Sequence, residues 1–101
     1  MEQIDPNDLL VFARVVAEGS LTAAADKLGL PKSTVSRRLS RLEEQLGERL
    51  LLRTTRRLNI TEFGAALLDH ARQLESEVEA VAALAEHPAD ERDAALRQLA
   101  D

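Results

Sequence analysis

The sequence predicts a mainly α fold: three helices, a small β-hairpin and a long fourth helix. Three observations carry this reading. Segments of helical period are separated by glycines at 19, 29 and 47. Two short apolar runs then flank a polar, basic link, Thr54-Thr55-Arg56-Arg57. From Thr61 onward, apolar residues recur at alternating spacings of four and three.

The first helix opens at Asp5-Pro6, because Asp caps well and Pro suits the first helical position. Asp8 adds a negative charge near the positive helix end. Leu9, Phe12, Ala13 and Val16 form its apolar stripe, and Gly19 stops it. A short second helix follows Ser20, built on Ala23-Ala24-Ala25, and Gly29-Leu30-Pro31 breaks it. The third helix runs from about Lys32 to Leu46. Its stripe is Val35, Leu39, Leu42 and Leu46, within roughly 60° of arc. Ser33 and Arg37 lie about 160° from Val35, and Thr34, Ser36 and Arg41 at roughly 100–120°. The face away from the core is therefore small hydroxyls and arginines. Leu50 to Arg53 and Leu58 to Ile60 form the hairpin strands.

The fourth helix starts at the Thr61 cap and ends before Pro88. Leu67, Ala71, Leu74, Val78, Val81 and Ala85 form a heptad seam, expected to hold a second copy of the chain, with the contact widening to Leu68 and Leu84. His70 is expected on the surface of this helix. The organisation expected is therefore residues 1–60 as one unit, 61–87 as a linker and dimerisation helix, and 88–101 as a charged tail.

The 101 residues suit one small domain and exclude a large catalytic barrel. Without cysteine there are no disulfides, thiolate metal sites or cysteine nucleophiles. The two histidines, His70 and His87, have no partners at metal-ligand spacing. Neither a catalytic constellation nor a cofactor-binding motif is present: the serines at 33, 36 and 40 lack a histidine–carboxylate arrangement, and no glycine-rich phosphate loop occurs. No apolar run is long enough to span a membrane, and the acidic N-terminus is unlike a signal peptide, so the expected location is the cytoplasm.

The net charge of −5 conceals a strong asymmetry. Residues 27–57 carry +6, whereas 1–26 carry −4 and 58–101 carry −7. A basic block between acidic flanks is a local electrostatic footprint. It coincides with two helices joined by a tight turn and followed by a basic hairpin. That order is a winged helix-turn-helix, whose second helix enters the DNA major groove by its N-terminal part. Lys32, Ser33, Thr34 and Arg37 are the candidate base-reading residues, Arg37 with the fork geometry for guanine O6 and N7. Thr22, Ser36, Arg38, Arg41, Arg53, Thr54, Arg56 and Arg57 are candidates for the DNA backbone. Arg38 lies nearer the apolar stripe, so packing or a phosphate suits it better than a base.

Several ordered motifs resemble one family. Gly19-Ser20-Leu21-Thr22-Ala23-Ala24-Ala25 is similar to the "GSFTAAA" stretch of LysR-type transcriptional regulators. Val35-Ser36-Arg37-Arg38-Leu39, with Leu42-Glu43-Glu44-Gln45-Leu46-Gly47, resembles their recognition helix. Leu51 to Arg56 and Leu58 to Gly64 resemble their wing and the "LTEAG" start of their linker helix. The resemblance covers about residues 7–87. It implies base contacts at Lys32, Ser33, Thr34 and Arg37, phosphate binding at Ser36, and wing contacts at Arg53 and from Thr54 to Arg57. It further implies antiparallel linker helices in a homodimer on an imperfect inverted repeat of double-stranded DNA, with a tetramer open to a longer chain. Pro31 stands where many relatives have a serine cap. Family members also continue into an effector-sensing domain, so this chain is either a DNA-binding fragment or a short stand-alone protein. The alternative function is a small dimeric interaction module that modulates a full-length regulator through the fourth helix.

Overall fold

The computed structural model describes residues 3–53, 57–86 and 96–97. Its elements, in order, are α1 (Pro6–Glu18), α2 (Leu21–Leu28), α3 (Lys32–Leu46), β1 (Leu51–Arg53), β2 (Leu58–Ile60) and α4 (Glu62–Glu86). This is the winged helix-turn-helix expected, with a long C-terminal helix.

Local chemistry sets the boundaries. Asp5 accepts a hydrogen bond from the Asn7 N–H at 2.9 Å, and Pro6 occupies the first helical position. Ser20 caps α2 by accepting from the Ala23 N–H at 3.0 Å. The glycines ending α1, α2 and α3 adopt φ of 78°, 67° and 68°, where a side chain would be strained. At the start of α3, Pro31 supplies no side-chain cap, but its carbonyl accepts from Thr34 and Val35, so the helix begins in register.

The core is centred on α1, which touches α2, α3 and α4. Contact on three sides buries a wider arc of α1 than its expected stripe. Val11 and Val15 join Phe12 and Ala13 in the interior, while Leu9 and Val16 are half-buried. From α3 come Val35, Leu39 and Leu42 as expected, with Leu46 packed at the margin. The core continues past Ile60 into α4, through Leu68 and the fully buried Ala71.

β1 and β2 pair antiparallel in the register Leu51↔Ile60, Leu52↔Asn59, Arg53↔Leu58. Leu51 points inward and Leu52 outward. The link residues Thr54, Thr55 and Arg56 lie outside the described residues, as does the tail except Leu96 and Arg97.

Thr61 joins wing to helix. Its N–H donates to the Leu50 carbonyl at 3.0 Å, its hydroxyl donates to the Arg49 carbonyl at 2.6 Å, and the same oxygen accepts from the Gly64 N–H at 2.9 Å. One turn on, α4 crosses the chain so closely that a Cβ at Gly64 would collide with the Leu50 carbonyl oxygen and come within 2.9 Å of Ile60 Cγ1. Glycine is required there for space.

Candidate nucleic-acid interface

The N-terminal half of α3 presents a polar, cationic surface. Lys32, Ser33 and Arg37 are exposed and Thr34 is half-buried. Ser33 and Arg37 project opposite Val35, Leu39 and Leu42, because the helical period forces them outward once the apolar stripe is buried, with Thr34 about 100° from Val35 and Lys32 nearer the stripe on the first turn. Ser33, Thr34 and Arg37 thus share one side of α3, and Lys32 is exposed beside them at the helix start. Ser36 is half-buried at its edge, and Thr22 is exposed on the first turn of α2.

The wing follows α3 closely. Glu43, on the last turns of α3, accepts from the backbone N–H of Leu50 at 2.8 Å and of Leu51 at 3.4 Å, with Arg49 Nε 3.7 Å from the same oxygen. A carboxylate with amide donors and a cation is a strong, directional tie. It fixes the root of the wing to the recognition helix, a role that the sequence reading did not assign. Arg57, immediately before the second strand, is exposed. Thr54 and Arg56, and the side chain of Arg53, fall outside the described residues.

Two arginines are placed differently from expectation. Arg38 and Arg41, read from sequence as backbone contacts, turn instead to Asp8 on α1. Arg41 grips that carboxylate with two nitrogens, Nε at 2.8 Å and Nη2 at 2.7 Å. Arg38 Nη1 lies 3.5 Å from it, and Arg41 Nη2 also reaches Asp5 at 3.3 Å. The cause is burial: Asp8 is 0% exposed, and an ionised carboxylate there requires partners. The Asp8 hydrogen bond and then its charge push the Arg41 guanidinium above its ordinary value, against a desolvation effect, with Asp5 adding to the rise. The sequence held one signal of this. Asp8 stands four residues before Phe12, on the arc facing the core, where a charge needs a counter-charge.

The seam on α4 is also divided. Ala71 is fully buried and Leu68 nearly so within the chain itself, so neither offers a surface to a second copy. Leu67 and Leu74 are half-buried, while Val78, Val81 and Ala85 are exposed. His70 is on the surface. Among the described residues, no group of three or more His, Cys, Asp or Glu is gathered as for a metal ion, and no helix is long and apolar enough to cross a membrane.

A helix-turn-helix with an exposed cationic second helix, backed by a wing, defines a class: the winged-helix regulatory proteins. Comparison with known proteins narrows it. Residues 6–65 match the bacterial regulatory helix-turn-helix proteins of the lysR family, and the chain belongs to that family. It is 53% identical over 75 residues to an HTH-type transcriptional regulator of Xanthomonas campestris pv. campestris, covering 74% of this chain and 22% of the relative. It is 47% identical over 73 residues to the HTH-type transcriptional regulator CrgA of Neisseria meningitidis, covering 72% of this chain and 24% of the relative. The chain thus spans about a quarter of the length of these relatives. Among solved structures, the BenM DBD in a catB site 1 DNA complex superposes with a TM-score of 0.73 at 35% identity, covering 81% of this chain and 92% of that one. Full-length AphB, a virulence activator of Vibrio cholerae, gives a TM-score of 0.72 at 33% identity, covering 77% of this chain and 27% of its own.

Proposed function

We propose that this chain binds double-stranded DNA sequence-selectively, as the DNA-binding part of a LysR-type transcriptional regulator, and acts as a homodimer in the cytoplasm without catalytic activity. The observation that carries the reading is the polar, cationic N-terminal half of the second helix of the motif, where Lys32, Ser33 and Arg37 are exposed and Thr34 is half-buried. Its agreement in fold with a BenM domain in complex with DNA supports it. In this mechanism, α3 enters the major groove and Arg37 donates a fork of hydrogen bonds to a guanine edge. Lys32, Ser33 and Thr34 select neighbouring bases. Thr22, Ser36, Arg53, Thr54, Arg56 and Arg57 hold phosphates and supply salt-sensitive affinity. Dimerisation through the distal part of α4, from Leu74 to Ala85, places two recognition helices on an imperfect inverted repeat, and a longer chain would allow a tetramer. Residues 1–60, 61–87 and 88–101 serve as DNA-binding unit, linker helix and tail.

The test is a binding isotherm at two salt concentrations on random duplex and on duplex selected from a random pool. Selective binding with a steep salt slope supports the reading. Arg37→Ala should cost about 1–3 kcal/mol on the selected duplex and relax specificity, and Arg56→Ala should weaken all sequences alike. Equal losses on both duplexes for Arg37→Ala would refute its base-reading role. The exposure of Val78 and Val81, 48% and 64%, also fits a second reading, a dimeric module that modulates a full-length regulator. A folded dimer that binds no DNA at low salt would favour it.

A further inference from the structure

Asp8 lies on the first turn of α1, outside the helix-turn-helix, yet it is bonded directly to α3. Its carboxylate is completely buried, and its partners, Arg38 and Arg41, stand one turn apart on α3. Arg41 is held at both ends of its fork, 2.8 and 2.7 Å from the two oxygens, the arrangement with the strictest direction among ion pairs. With Asp5 joining at 3.3 Å, two carboxylates face two guanidiniums. The cluster's charges therefore balance within the protein.

The position of these arginines on the helix gives the cluster its consequence. Arg41 is one turn beyond Arg37 and only about 40° round the axis from it. Released from Asp8, its charge would stand beside the base-reading face and meet phosphates of any sequence. The apolar stripe of Val35, Leu39 and Leu42 decides which side of α3 is buried. The arginines tie α3 to α1 at a second point, off that stripe, through a directional bidentate pair.

We propose that Asp8 is a positioning residue that sets specificity: it holds Arg38 and Arg41 away from phosphates and fixes the azimuth at which α3 presents Ser33, Thr34 and Arg37. This rests on the DNA-binding reading above. Asp8 touches no DNA itself. It raises the ratio of selected to random binding by suppressing the second term and aligning the first.

Three variants test it, each measured with wild type on random and selected duplexes over about 50–200 mM salt. Asp8→Asn keeps the shape and removes the charge. It should bind random duplex about three- to tenfold more tightly at low salt, steepen the salt slope by about one to two units, and lower the selected-to-random ratio. Adding Arg38→Gln and Arg41→Gln to Asp8→Asn should return random affinity and slope to the wild-type values while the ratio stays low. Arg41→Gln alone should leave the salt slope on random duplex unchanged, because Arg41 held by Asp8 contacts no phosphate. A purely structural role predicts that Asp8→Asn loses both affinities in proportion to the unfolded fraction, at unchanged ratio and slope, and that result would overturn the proposal. So would a slope flattened by about one unit in Arg41→Gln, which places Arg41 on a phosphate. Should Asp8→Asn not fold, the Arg41→Gln slope decides alone. Wild-type protein that selects no duplex would overturn the DNA-binding reading itself. Selection by wild type with an unaltered Asp8→Asn ratio and slope overturns only the role of Asp8.

Discussion

The two halves of α4 carry the same apolar repeat and meet opposite fates. In the first half, Leu68 and Ala71 are sealed in the core of the domain, in which α4 packs on α1. In the second, Val78 and Val81 face outward, 48% and 64% exposed. The difference follows from length. α1 has 13 residues and α4 has 25, so α1 spans about half of the longer helix at roughly 1.5 Å per residue. The salt bridge from Arg14, near the end of α1, to Glu75 at 2.9 Å marks where cover runs out. A heptad pattern therefore states that one side of a helix avoids water. Which partner covers that side depends on what reaches it.

This contrast can be broken most severely in the covered half. Leu68→Ala empties a site in the domain core and should lower unfolding free energy by about 2–5 kcal/mol, read from the urea midpoint. Gly64→Ala comes next. Its methyl group meets the backbone of Leu50, which cannot swing aside as a side chain would, so a loss of about 1–3 kcal/mol is expected by the same measurement. Removing Arg14 or Glu75 should cost less, about 0.2–1 kcal/mol, because both side chains are partly exposed and the pair is screened by salt. A double-mutant cycle isolates that coupling. The exposed half should respond in the reverse manner. Val78→Ser with Val81→Ser should leave protomer stability within about 0.5 kcal/mol, yet shift sedimentation from dimer to monomer. Equal destabilisation by the Leu68 and Val78/Val81 changes, in protein held monomeric by dilution, would erase the distinction between the halves.

A similar contrast separates the cations of α3. Arg37 and Arg41 are both exposed, but Arg41, with the half-buried Arg38, is paired to Asp8 on another helix. Spacing on the helical wheel locates Arg37 correctly, because its place follows from the buried stripe on its own helix. It does not reveal the partner of the other two, because that partner is 30 and 33 residues away in sequence. The same holds for Glu43, whose bonds to Leu50 and Leu51 depend on the chain reversing at Gly47 and returning beside α3.

By itself, the sequence determined what local chemistry controls. Asp5, Ser20 and Thr61 start helices, Gly19, Gly29 and Gly47 end them, and the period of Val35, Leu39 and Leu42 turns Ser33 and Arg37 outward. Each of these depends on neighbours within a few residues, so spacing suffices to read them. Only the tertiary structure decided that α1 is enclosed on three sides, that Ala71 belongs to the core, and that a buried Asp8 claims two arginines. Those outcomes require elements distant in the chain to meet. A carboxylate stripped of water takes whichever cations the packing brings within reach, and that choice is made by the fold as a whole.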